Sequence, residues 1–132
     1  TLFPYTTLFR SMTASSDLVV STTKPSVLRT PIDSATATAL SSLMQETVAS
    51  GTGKTAQVPG VAVAGKTGTA ETGSDEGGPT TWFIGFAGTD INEPSVAIAV
   101  VIDGGSQTSQ SATGGSEAGP VAAAVISAAV NR

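Results

Sequence analysis

The sequence predicts an α+β fold: a three-stranded antiparallel meander packed against an upstream helix and a C-terminal helix. Three observations lead there. Apolar residues alternate or run together at residues 60–70, 81–88 and 95–102, as strands require. The connections between those segments are short, which favours antiparallel neighbours over crossovers. Residues 34–50 and 117–131 each carry an apolar stripe at helical spacing.

Composition bounds what such a fold can do. The 132 residues suit one domain or part of one. The formal net charge is −4, only 12% of residues are charged and 15 are Gly, so the surface should be rich in Ser, Thr and Gly rather than ions. An acidic balance argues against nucleic acid, whose phosphates need a basic face. The chain holds no His, which removes His-based triads and the commonest transition-metal ligand. It holds no Cys, which removes thiol nucleophiles, disulfides and thiolate zinc sites. No cofactor or metal is implied. No apolar run is long enough to span a bilayer, and no signal peptide is recognisable.

Residues 1–11, Thr1-Leu2-Phe3-Pro4-Tyr5-Thr6-Thr7-Leu8-Phe9-Arg10-Ser11, resemble the translation of a widely used short-read sequencing adapter, and are set aside as non-native. On that reading the gene was cut at Met12, residues 1–11 should make few long-range contacts, and Phe3, Tyr5 and Phe9 should not be deeply buried in a continuous core. Residues 12–33 form a polar lead-in whose one apolar group, Leu18-Val19-Val20, is either a strand or irregular. Within it, Ser21-Thr22-Thr23-Lys24 matches Ser-x-x-Lys by letter only. A nucleophile of that kind opens a helix, with the lysine one turn later on the same face. Here Pro25 turns Lys24 away from helical geometry.

The first helix is expected over residues 34–50. Asp33 and Ser34 are both good N-caps. Ala35, Ala39, Leu40, Leu43, Met44 and Val48 form the stripe, and Gly51 supplies the stop. Gly51-Thr52-Gly53-Lys54-Thr55 is not a phosphate-binding loop, because Val48 stands where that loop needs another Gly. Residues 51–60 read as a flexible connector.

In the segment that follows, Val61 and Val63 alternate with small residues before Lys66-Thr67-Gly68-Thr69. Strand alternation sends Lys66 and Gly68 to one face, Thr67 and Thr69 to the other. A single ligand meets all four only by lying along the strand's edge. An edge offers free N–H and C=O groups, and Gly allows close approach. The pattern points to an anion-tolerant, peptide-binding edge; the bland alternative is a solvated lysine at a strand end.

Residues 72–80 form a loop. Trp82, Ile84 and Phe86 lie on one face of the next strand and Phe83 and Gly85 on the other, which predicts an interior strand. Residues 89–94 turn the chain, and residues 95–102 are nearly all apolar, again interior. A long Gly/Ser/Thr loop at residues 103–115 is expected to be mobile. The final helix starts near Ser116 or Gly119. Pro120 falls in its first turn, and Ala118, Val121, Ala122, Val125, Ile126, Ala129 and Val130 form its stripe.

Lys66-Thr67-Gly68 with Thr69-Ala70 resembles the third active-site motif of penicillin-binding proteins and serine β-lactamases. Gly51-Thr52-Gly53 before it, Thr81-Trp82-Phe83-Ile84-Gly85-Phe86-Ala87 after it, and Gly114-Gly115 ahead of the last helix extend the likeness. The ordered series resembles the C-terminal part of the transpeptidase domain of class B penicillin-binding proteins, over residues 34–132. The resemblance implies an incomplete part of the β-lactamase/transpeptidase-like fold. It also implies a serine that attacks the D-Ala-D-Ala bond of a peptidoglycan stem peptide, and that β-lactams acylate.

By the same resemblance Lys66 and Thr69 are the catalytic candidates. Lys66 supplies positive charge, and the Thr69 N–H supplies half of an oxyanion hole. Thr67 and Thr69 bind the substrate or drug carboxylate, and Gly68 keeps the wall bare. The implied parent acts on the extracytoplasmic face of a bacterial membrane, anchored there, with other cell-wall or division proteins as possible partners.

Two departures stand out. Thr80 and Thr81 occupy positions before Trp82 where many relatives carry His or another polar residue. No credible Ser-x-x-Lys and no Ser-x-Asn is present, and Ser74-Asp75-Glu76 ends in Glu and follows the motif. Three readings therefore compete: a transpeptidase part lacking its nucleophile, part of a serine β-lactamase, or a non-catalytic peptide-binding module. Upstream sequence separates them.

Overall fold

A computed structural model describes residues 10–13, 16–22, 30–71, 77–105 and 109–130. Phe3, Tyr5, Phe9, Lys24, Pro25 and Ser74-Asp75-Glu76 lie outside these, so the expectations placed on them do too. The chain divides into two compact units, Thr1–Ala37 and Thr38–Arg132.

In the first unit, β1 (Arg10–Thr13) pairs antiparallel with β2 (Ser16–Thr22). Register shifts interrupt the pairing around Met12. The apolar group Leu18-Val19-Val20 therefore lies on a strand. So does Ser21, paired with Ser11, rather than at the start of a helix where a Ser-x-x-Lys nucleophile belongs.

In the second unit, β3 (Ala62–Ala70), β4 (Thr80–Gly88) and β5 (Val96–Ile102) form an antiparallel sheet in that order. The register pairs Val63 with Ala87, Thr67 with Phe83, Thr69 with Thr81, and Phe83 with Val100. One face thus collects Val63, Thr67, Phe83, Ala87, Ile98, Val100 and Ile102. Across β4 and β5 on that face lies α2 (Gly119–Val130), with Ala122 and Ile126 fully buried in the shared core. Phe83 is also fully buried, because its ring crosses Gly65, where any Cβ would collide with it. On the opposite face Trp82, Ile84 and Val101 are exposed. β4 is interior, as the sequence predicts. Among the described residues β5 is not: it closes the sheet and pairs with β4 alone.

The upstream helix, α1 (Ser34–Ala49), forms where expected. Asp33 caps it, its Oδ1 accepting the Thr36 N–H at 2.7 Å. Its stripe does not pack as expected. Only Val48, in the last turn, joins the core cluster, while Leu40 and Leu43 are exposed.

The connector after α1 is not loose. Gln57 Nε2 donates to the Val48 and Ala49 carbonyls at 2.8 and 3.1 Å, satisfying two acceptors that a helix end leaves open. A 3-10 turn at Lys54–Ala56 buries Ala56, and Val58 follows it into the core. These two apolar residues convert the expected flexible segment into packed structure.

The last helix, α2, starts at Gly119, one of the two positions expected for it. A π-helical turn, Gly114–Ala118, runs directly into α2. Thr113 caps it reciprocally with Ser116: Thr113 Oγ1 accepts the Ser116 N–H at 3.1 Å, and the Thr113 N–H donates to Ser116 Oγ at 2.9 Å.

Candidate functional site

Strand β3 is paired only with β4, so its other edge is open among the described residues. Lys66 is exposed on this strand, and its Nζ donates to the Thr67 carbonyl at 2.6 Å. Gly68 pairs with Trp82, and a Cβ at Gly68 would approach Trp82 Cδ1 to 3.2 Å. The indole therefore flanks the glycine, and the strand stays thin at that point. A groove of about 620 Å³ lies between the end of α1 and the start of β3, lined by Lys54, Gln57, Val58 and Val63 among others; it includes none of the motif residues.

The two threonines turn toward the other face and are held differently. Thr67 is buried, its Oγ1 2.6 Å from Thr52 Oγ1. Thr69 is exposed, its Oγ1 accepting the Gly114 N–H at 3.2 Å. Lys66 and Thr69 are thus presented to solvent, Gly68 is half-buried between them, and the Thr67 hydroxyl is engaged internally. Of the two residues before Trp82, Thr80 Oγ1 accepts the Gly104 N–H at 3.3 Å, and Thr81 is fully buried across from Thr69.

Sequence reasoning assigned no role to Thr52, Thr55, Gly114 or Gly115, all of which abut the motif or brace it. Their positions in the resemblance were visible, but not their contacts, which span 15 to 60 residues of chain. Among the described residues no cluster of acidic, His or Cys side chains could hold a metal ion.

β3 thus carries Lys66-Thr67-Gly68-Thr69 along an edge that is open among the described residues, in a sheet that α2 covers on one face. Residues 6–127 match the penicillin binding protein transpeptidase domain, and the chain belongs to that family. The match takes in residues 6–33, which the sequence resemblance had left out.

Among characterised proteins, the chain is 39% identical over 132 residues to peptidoglycan D,D-transpeptidase PbpA of Mycolicibacterium smegmatis, covering 96% of this chain and 25% of that one. It is 47% identical over 75 residues to PbpA of Mycobacterium tuberculosis, covering 55% and 15%. A solved structure of penicillin-binding protein A from M. tuberculosis, a ceftriaxone acyl-enzyme complex, superposes with a TM-score of 0.70 at 39% identity, over 86% of this chain and 25% of that one. The transpeptidase domain of FtsI4 from Legionella pneumophila superposes with a TM-score of 0.58 at 33% identity, covering 71% of this chain and 35% of that one. The chain thus spans a quarter or less of the length of these PbpA relatives.

Proposed function

We propose that this chain supplies the Lys-Thr-Gly wall of a penicillin-binding D,D-transpeptidase, which cross-links peptidoglycan stem peptides through an acyl-serine. The observation that supports it best is the joint presentation of Lys66 and Thr69 on the open edge of β3. A stem peptide ending in D-Ala-D-Ala lies along such an edge by strand addition. Lys66 sets a positive potential beside the reacting serine, which upstream sequence provides. That serine's oxygen, giving its proton to a neighbouring base, attacks the penultimate carbonyl; the C–N bond then breaks and the terminal D-Ala leaves as the amine, taking up that proton. The Thr69 N–H stabilises the developing oxyanion, and the Thr69 hydroxyl receives the carboxylate. Thr67 supports the wall from within, and Gly68 leaves room for the peptide. β-Lactams enter the same path. The parent works outside the cytoplasmic membrane, where peptidoglycan is assembled. The division into a non-native head (1–11), a lead-in (12–33) and the transpeptidase part (34–132) belongs to this proposal, although the family match begins at residue 6 and so crosses the first two boundaries.

The test uses a fluorescent penicillin. Residues 12–132 should form no stable covalent adduct, whereas a protein extended upstream to the length of its relatives should. In that extended protein Lys66→Ala should slow acylation about a hundredfold, and Thr69→Val by less. Labelling of the 12–132 chain at Ser21, or undiminished acylation in both variants, would overturn the proposal.

A further inference from the structure

We infer that Thr52 and Gly114 are positioning residues of the open β3 edge, acting through Thr67 and Thr69 respectively. This rests on the proposed reading of those two threonines as parts of the transpeptidase wall. A hydroxyl has one proton and two lone pairs. The Gly114 N–H occupies the Thr69 oxygen at 3.2 Å, so the Thr69 proton turns elsewhere. Because Thr69 is exposed, that proton can turn outward to an anionic ligand.

Glycine at 114 makes the approach possible. A Cβ there would lie 2.5 Å from the Trp82 carbonyl oxygen, 2.6 Å from the Gly68 oxygen and 2.9 Å from the Gly68 nitrogen. Only a bare Cα brings the N–H this close to β3.

Thr52 performs the matching task for Thr67. The two hydroxyls meet at 2.6 Å around a buried Thr67, which fixes its rotamer, and Lys66 and Gly68 flank it in the chain. Gly115 joins the two arms. A Cβ on it would meet the Thr52 backbone carbonyl oxygen at 2.6 Å, and its own carbonyl accepts from Thr55 Oγ1 at 2.5 Å. The connector after α1 and the first turn of the last helix therefore form one brace behind the motif.

Acylation by a fluorescent penicillin in the upstream-extended protein separates this from a purely structural role. Thr52→Val should slow acylation about two- to tenfold, the scale of one lost hydrogen bond, while Thr52→Ser restores it. Thr52→Val combined with Thr67→Val should be no slower than Thr67→Val alone, because the first acts through the second. Additive losses, or a lowered melting temperature with an unchanged acylation rate, overturn the Thr52 assignment. The Gly114 arm is read by amide exchange: Thr69→Val should speed exchange at the Gly114 N–H and Thr69→Ser should not. Equal exchange in both removes Gly114 from the brace. If Thr67→Val and Thr69→Val leave acylation unchanged, the wall reading itself fails. If they slow it and Thr52→Val does not, only the brace fails.

Discussion

Helix α2 buries Ala122 and Ile126 completely under β4 and β5, whereas α1 leaves Leu40 and Leu43 exposed, buries Ala37 near its start and, among the described residues, joins the α2 core cluster through Val48 alone. Both sequences carry an apolar stripe. What separates them is the surface each stripe meets. Ala118, Ala122 and Ile126 let α2 sit close on a sheet face already furnished with Phe83, Ile98 and Val100. α1 instead satisfies polar groups along its own length: Ser42 Oγ donates to the Thr38 carbonyl at 3.1 Å and Thr47 Oγ1 to the Leu43 carbonyl at 2.9 Å. One helix is held by packing along its length, the other by its cap, by Ala37 near its start and by Val48 in its last turn.

The sharpest way to break this comparison is to remove packing under α2. Ile126→Ala deletes a fully buried side chain and should cost about 2–5 kcal/mol, read as a lower denaturant midpoint. A cost below that range would mean α2 is not the element that seals the sheet.

The equivalent deletion on α1 should do far less. Leu43 is 67% exposed, so Leu43→Ser should change stability by no more than about 0.5 kcal/mol. A larger loss in this chain would show that the α1 stripe is buried after all.

These contrasts also explain what the sequence revealed. Period-two patterning in Val61 to Val63 and in Trp82 to Phe86 made the meander legible, because strand alternation is a local property. Asp33 announced the start of α1 for the same reason. The packing of α1 was not legible, since a stripe shows which side is apolar and not what covers it. The connector was misread because Gly51, Gly53 and Gly60 obscured Ala56 and Val58, whose burial depends on a partner elsewhere in the chain. At the candidate site, the motif singled out Lys66, Thr67, Gly68 and Thr69. The inward turn of the Thr67 hydroxyl and the hydrogen bonds of Thr52 and Gly114 to the motif depend on tertiary contacts that no local pattern encodes.

The smallest effect tests the caps. The Thr36 backbone N–H and then its side-chain hydroxyl hold the Asp33 carboxyl below its ordinary value of 3.8. A carboxylate with a depressed folded-state pKa stabilises the fold fully above its unfolded value. That contribution is lost as the pH falls through the lower, folded value. Acidification from neutral pH into that range should therefore fray the start of α1, seen as faster amide exchange at Thr36. The first turn of the final helix is capped by the hydroxyls of Thr113 and Ser116, which do not titrate there, and its exchange should not follow the Asp33 transition. Asp33→Asn keeps an oxygen acceptor at the cap and removes the titrating group, so its Thr36 exchange should lose the acid transition while the helix still forms. If D33N and the unsubstituted chain fray alike on acidification, the cap is not what holds the open end of α1. The contrast between a locally held helix and a packed one would then have to rest on Ala37 and Val48 alone.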